Sequence, residues 1–294
     1  MQRIGFIGVG IMGKPMVRNL MKHGFEMQIY TRTKSKALDI ISEGASWRDS
    51  VAECVRDADI VMTMVGYPKD VEEVYFGEKG ILNNARKGAC LIDFTTTSPT
   101  LSRRIYEAGK EKGLSVLDAP VSGGDTGARN ATLSIMVGGD KDVFDRCYQV
   151  FKALGTNIIY EGPAGSGQHT KMANQIAIAG TIAGVCEALA YGRAAGLDLQ
   201  AMLNSISAGA AGSWQMSNLA PKMIAGDYEP GFFIKHFIKD MQIAREEALN
   251  NELSLVVLEK VLSMYRELAG DMDSSELGTQ ALIKYYEDDN KGSA

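Results

Sequence analysis

The chain has 294 residues, 45% of them hydrophobic and 23% charged, with a formal net charge of −5. This balance excludes a disordered chain, and it offers no global basic surface for nucleic acid. The four cysteines (Cys54, Cys90, Cys147, Cys186) are scattered and lack C-x-x-C spacing, and the three histidines (His23, His169, His236) show no ligand spacing. Four reduced, buried thiols and no metal site are therefore expected.

Up to about residue 160, short β-type runs alternate with helix-period segments. The runs are RIGFIGV, EMQIYT, IVMTMV, CLIDFT, LSVLDAPV, LSIMVGG and NIIYEG, with helical periodicity at 14–23, 34–43 and 98–112. Such alternation predicts an α/β domain with a doubly wound, mainly parallel sheet. The break EGPAGSG near 162–167 ends it. We place the first domain at 1–163 and an all-α domain at 164–294, joined by a long interdomain helix over 164–197. Further helices are expected at 199–208, 215–226, 238–251, 255–269 and 275–286. The long helix is rich in Ala and Gly and apolar on nearly every face, so burial nearly all round is expected. Glu187 interrupts its most apolar run, which argues against a membrane span, and no signal segment precedes the first strand. A cytoplasmic protein is the expectation.

The first loop carries the clearest motif. Gly8, Gly10 and Gly13 follow a strand and open a helix, with Ile11 and Met12 between them. In a G-x-G-x-x-G turn the first glycine allows the tight bend, the second lets the backbone approach a pyrophosphate, and the third packs helix on strand. The helix N-terminus then receives the phosphates. A dinucleotide cofactor is expected. The second strand ends Tyr30-Thr31-Arg32-Thr33, without the acid that usually takes the ribose 2′-OH of NAD. Arg32 can pair with a 2′-phosphate, assisted by the Thr31 and Thr33 hydroxyls, so NADP is preferred, with NAD the alternative.

Two further loops follow strand ends. One is Asp93-Phe94-Thr95-Thr96-Thr97-Ser98-Pro99, whose hydroxyls serve equally well as helix caps. The other, Asp118-Ala119-Pro120-Val121-Ser122-Gly123-Gly124, offers a hydroxyl and consecutive N–H groups to a small carboxylate. In the long helix, Lys171, Asn174 and Gln175 sit at i, i+3 and i+4 and share a face.

The glycine loop, the turn at Asp93, DAPVSGG at Asp118, GxGxxxKxxN from Gly165 to Asn174, and Lys239-Asp240 follow one another as in the β-hydroxyacid dehydrogenase family. The resemblance covers essentially the whole chain. It implies an N-terminal Rossmann domain, an all-helical C-terminal domain and a homodimer or homotetramer. It also implies Lys171 as the catalytic lysine, and Ser122, Gly123, Gly124 and Asn174, with Gln175 beside it, around the substrate carboxylate and oxygen. Thr96 and Lys239 would line the cofactor, as would Val65 at the end of the IVMTMV run. The family often has a second asparagine after the lysine, where this chain has Gln175, which keeps the amide but moves it outward.

The implied activity is an NADP-preferring oxidoreductase interconverting a short β-hydroxyacid and its aldehyde or semialdehyde. The VSGG sequence favours the hydroxyisobutyrate and tartronate semialdehyde branches. Arg32 and the Lys235-His236-x-x-Lys239-Asp240-Met241 pattern favour the glyoxylate/succinic semialdehyde branch. The rival from another class is a non-catalytic NADPH-binding module.

Overall fold

A computed structural model describes residues 2–271 and 274–288. Contacts divide the chain into two compact units, one ending at Lys171 and one beginning at Met172.

The first unit is built on one nine-stranded sheet. Its strands are β1 (Arg3–Ile7), β2 (Glu26–Tyr30), β3 (Ser46–Trp47), β4 (Ile60–Thr63), β5 (Cys90–Asp93), β6 (Ser115–Asp118), β7 (Val121–Ser122), β8 (Leu133–Gly139) and β9 (Gly155–Gly162). The order is β3-β2-β1-β4-β5-β6-β8-β7, with β9 on the other edge of β8. The neighbours from β3 to β6 run parallel, β8 is antiparallel to β6 and β7, and β9 is parallel to β8. A mainly parallel, doubly wound sheet needs apolar residues on both faces. Ile4, Phe6, Ile60, Met62 and Ile92 fill the core on one side, while Ile7, Val61 and Leu91 fill the other.

The run LSVLDAPV does not form one strand. It ends at Asp118 and resumes at Val121, and the two pieces lie along the same β8. Pro120 cannot donate to a ladder, so the sheet is interrupted there and Asp118 is left at a strand end. The periodicity at 34–43 resolves into a 3-10 turn, Lys34–Ala37, and a short helix, Leu38–Ser42.

The long helix runs Ser166–Ala194, 29 residues, or ~43 Å at ~1.5 Å per residue. Its first residues belong to the first unit and the rest to the second. Burial nearly all round is not observed. Ala173, Ala177, Gly184, Glu187 and Tyr191 form an exposed stripe, with Tyr191 74% exposed. Alanine and glycine carry too little apolar area to force a face inward, so an Ala/Gly surface tolerates water.

The second unit is helical: Leu199–Ser207, Trp214–Asn218, Ala220–Ala225, Ile234–Asn250, Val256–Asp271 and Ile283–Asp288. Its core includes Ile182, Cys186, Leu189, Phe237, Met241, Tyr265 and Leu268. The segment expected as one helix at 215–226 breaks at Leu219, two residues before Pro221. The last predicted helix starts with a 3-10 turn, Thr279–Leu282, rather than at residue 275. All four cysteines are free and buried.

Candidate active site

β1 delivers the glycine loop. Gly8 has φ +101°, and a Cβ there would meet Met64 O at 2.2 Å; a Cβ on Gly13 would meet Gly8 O at 2.0 Å. These two glycines are fixed by the protein's own packing. Gly10 differs, because a Cβ on it would meet nothing within 4 Å. Its bareness suits an approach from outside, which is what a pyrophosphate makes. Gly10 and Ile11 are exposed, and the helix Gly13–Lys22 carries no acid in its first turn. The loop thus fits a dinucleotide.

Arg32 follows β2 and projects into solvent, its side chain 77% exposed. Nη1 lies 3.3 Å from Asp70 Oδ1, and Asp70 also accepts from Tyr67 N at 3.0 Å. Thr31 and Thr33 flank Arg32 on the same connection. Asp70 was not legible as a partner, although Tyr67-Pro68-Lys69-Asp70 is a helix-start pattern with proline at the first position and an acid at the third.

At the carboxyl ends of β5 and β6 lie two buried aspartates in register, Asp93 and Asp118. Asp93 Oδ1 accepts from Thr63 Oγ1 at 2.7 Å and Thr95 N at 3.0 Å, while its Oδ2 is buried without a hydrogen-bond partner. Burial, reinforced by the neighbouring Asp118, pushes its pKa up to about 6. Asp118 accepts from Gly165 N at 2.7 Å and Gln168 N at 2.9 Å, and burial raises its pKa as well. Its carboxylate therefore caps the long helix, where the N–H groups and the positive dipole end favour a negative charge.

Gln168 is fully buried and ties the same helix start to the threonine loop. Oε1 accepts from Thr97 N at 3.1 Å and Nε2 donates to Thr95 O at 2.8 Å. Thr95 in turn accepts from Val65 N at 3.0 Å. Asp118 and Thr95 stood in the two strand-end loops without a role of their own, and Gln168 was not singled out, although it is a polar residue in the first turn of a mostly apolar helix. Thr96 is half-buried in this loop.

These ties set the place of Lys171, one turn further on. It is 6% exposed, and its Nζ donates to Val121 O at 2.9 Å. The next residues are Ser122, Gly123 at φ +127° and Gly124 at φ +60°. Lysine, hydroxyl and glycine turn thus come together in the first unit.

Asn174, Gln175 and Lys239 lie in the second unit. Asn174 Nδ2 donates to Gln175 Oε1 at 2.8 Å, and Gln175 Nε2 donates to Asp240 Oδ2 at 2.6 Å. Lys239 Nζ sits 2.9 Å from Asp240 Oδ1. The longer amide of Gln175 is spent on bridging Asn174 to a buried carboxylate. Burial, then the charges of Lys239 and Lys235, lower the His236 pKa and favour its neutral form. Among the described residues no group of three or more His, Cys, Asp or Glu is arranged to hold a metal.

Comparisons with known proteins bear on the family and the fold. Residues 3–162 match the family described as the NAD binding domain of 6-phosphogluconate dehydrogenase. Residues 165–286 match the NAD-binding domain of NADP-dependent 3-hydroxyisobutyrate dehydrogenase. The chain is 54% identical over 285 residues to an uncharacterised oxidoreductase of Bacillus subtilis, covering 96% of this chain and 98% of that protein. It is 37% identical over 285 residues to 2-hydroxy-3-oxopropionate reductase of Escherichia coli, covering 97% of each. Among solved structures, 3-hydroxyisobutyrate dehydrogenase of Mycobacterium tuberculosis superposes with a TM-score of 0.89 at 29% identity, covering 97% of this chain and 98% of that one.

Proposed function

Because the chain belongs to the 3-hydroxyisobutyrate dehydrogenase family of NAD(P)-dependent oxidoreductases, we propose that it interconverts a short β-hydroxyacid and its semialdehyde, with NADPH preferred and Lys171 handling the proton. The observation that carries this reading is the buried Lys171 ammonium, held by the Val121 carbonyl next to Ser122-Gly123-Gly124.

When bound, the nicotinamide supplies or accepts the hydride. The protein's residues do the rest. Lys171 stabilises the negative charge developing on the aldehyde oxygen and delivers a proton to it; in the oxidative direction it is neutral and takes the proton back. Ser122 Oγ and the N–H groups of Gly123 and Gly124 receive the substrate carboxylate. Asn174, one helical turn from Lys171, presents an amide to the substrate, and Gln175 holds that amide in place through Asp240. In the first unit Thr96 and Val65 would hold the cofactor and Arg32 its 2′-phosphate; Lys239 of the second unit is assigned to the cofactor by the family resemblance.

Tartronate semialdehyde and methylmalonate semialdehyde are the favoured substrates. Glyoxylate and succinic semialdehyde form the second reading, supported by Arg32 and the Lys235-His236 and Lys239-Asp240 pairs. The enzyme is cytoplasmic and works as a homodimer or homotetramer. In the second unit Tyr191 (74% exposed), Val256 (77%), Val257 (62%) and Leu253 (54%) offer apolar surface for such contacts. Light scattering giving a monomer at micromolar concentration would reject the oligomer.

The test is NADPH oxidation with these four aldehydes, repeated with Lys171→Ala. Removing a general acid costs about 10²–10⁴-fold in kcat. Undiminished turnover would remove Lys171 from the mechanism. Tight NADPH binding without turnover on any aldehyde would favour a non-catalytic module.

A further inference from the structure

We infer that Asp70 tunes cofactor choice, acting as a fixed counter-charge on Arg32 that weakens the site's discrimination of NADPH from NADH. The inference rests on the reading of Arg32 as the 2′-phosphate group's partner.

The placement is specific. Arg32 lies just beyond the carboxyl end of β2, and Asp70 lies in the first turn of the helix Pro68–Phe76 that follows β4. β2 and β4 are the two neighbours of β1, which carries the glycine loop. The 3.3 Å pair between Arg32 Nη1 and Asp70 Oδ1 therefore joins the two connections that flank this loop.

The two partners differ in freedom. Arg32 is 77% exposed, a long side chain free to redirect its remaining N–H groups, whereas Asp70 is 9% exposed. Its Oδ2 accepts from Tyr67 N at 3.0 Å, so the carboxylate is anchored by the helix start. Arg32 can leave Asp70, but Asp70 cannot follow or withdraw.

A 2′-phosphate arriving at Arg32 meets two costs that a 2′-hydroxyl does not. It must share a guanidinium already paired to an acid, and it brings up to two negative charges near a third that is held in place. Lys34, over the Trp47 ring at 5.2 Å, and Lys69, over the Tyr67 ring at 6.0 Å, are further cations on these connections and soften the repulsion without removing its source. NADH carries no charge at that position, so Asp70 leaves its binding nearly untouched. The consequence is a site that prefers NADPH modestly and still accepts NADH.

The experiment uses the full-length protein and reads binding, not turnover. Calorimetric Kd values are measured for NADPH, NADH, adenosine 2′,5′-bisphosphate and 5′-AMP, with wild type, Arg32→Ala, Asp70→Asn and Asp70→Ser. Asparagine retains an oxygen to accept from Tyr67 N and loses the charge. Serine at this third helical position supplies a smaller acceptor if asparagine perturbs folding.

Asp70→Asn is expected to tighten NADPH and the bisphosphate about tenfold relative to NADH and 5′-AMP, the size of one like-charge interaction at several ångströms in a largely solvated site. A change that is equal for both members of each pair would make Asp70 a helix cap only and overturn the proposal. Selective loosening of the bisphosphate would also overturn it, because Asp70 would then be preparing Arg32 for the phosphate. If Arg32→Ala loosens NADPH selectively while both Asp70 variants leave the ratio fixed, the cofactor reading stands and the Asp70 inference falls. If Arg32→Ala changes no ratio, the cofactor reading itself fails.

Discussion

The two units solve the same problem, a buried aspartate beside the long helix, with opposite materials. In the first, Asp118 is satisfied by backbone N–H groups of Gly165 and Gln168. In the second, Asp240 is held by side chains: the Gln175 amide donates to Oδ2, and the Lys239 ammonium is ion-paired with Oδ1. A carboxylate bound to main chain fixes where a helix begins; one bound to side chains fixes where those side chains point. Removing the first should therefore damage the fold, and removing contacts of the second should damage turnover.

The largest effect on this contrast is expected from Asp118→Ala. It leaves two buried N–H groups unpaired and strips the helix start of its charge, a loss of about 3–5 kcal/mol from charge-assisted bonds of ~1.5–3 kcal/mol each. Urea unfolding with the refolded protein's activity as a second readout measures it. A loss below about 1 kcal/mol would mean that the helix start is held by Gln168 alone.

The neighbouring Asp93 sharpens the same side of the comparison through pH. Its folded pKa, about 6, lies above the ordinary 3.8, so it favours folding when protonated. That contribution is whole below about pH 4 and is lost as the pH rises through 6, a swing of about 3 kcal/mol at ~1.4 kcal/mol per unit. Asp93→Asn cannot ionise, so its stability relative to wild type should rise by that amount between pH 4 and pH 7. A difference that stays constant over this window would contradict the assignment.

Gln175→Asn tests the other side. The shorter amide cannot span from Asn174 to Asp240, so kcat/KM should fall about tenfold, while stability changes by less than about 2 kcal/mol, the scale of one or two neutral hydrogen bonds. A large stability loss with full kcat/KM would erase the distinction between the two arrangements.

The contrast also explains what could be read ahead of the structure. Local geometry left direct marks: Gly8 and Gly13 have no room for a side chain, although the break at Pro120 inside LSVLDAPV was passed over. The α/β and all-α halves followed from hydrophobic periods of two and 3.6. Long-range pairing left none. Gln168 lies 71 residues from Thr97, and Gln175 lies 65 from Asp240. Nothing in a polar residue's type states which distant group it will meet. The same limit hid Asp70, whose local pattern reads as a helix start, so Arg32 gave no sign of an acidic partner.

The long helix marks the boundary most clearly. The sequence by itself determined that an Ala- and Gly-rich stretch forms one long helix, and that Lys171 and Asn174 share its face, because both depend on neighbours within four positions. Only the tertiary structure decided that one stripe of that helix stays exposed and that its first turn is clamped by Asp118 and Gln168. Burial and partner choice depend on which other segments arrive, and that is a property of the folded chain rather than of any stretch within it.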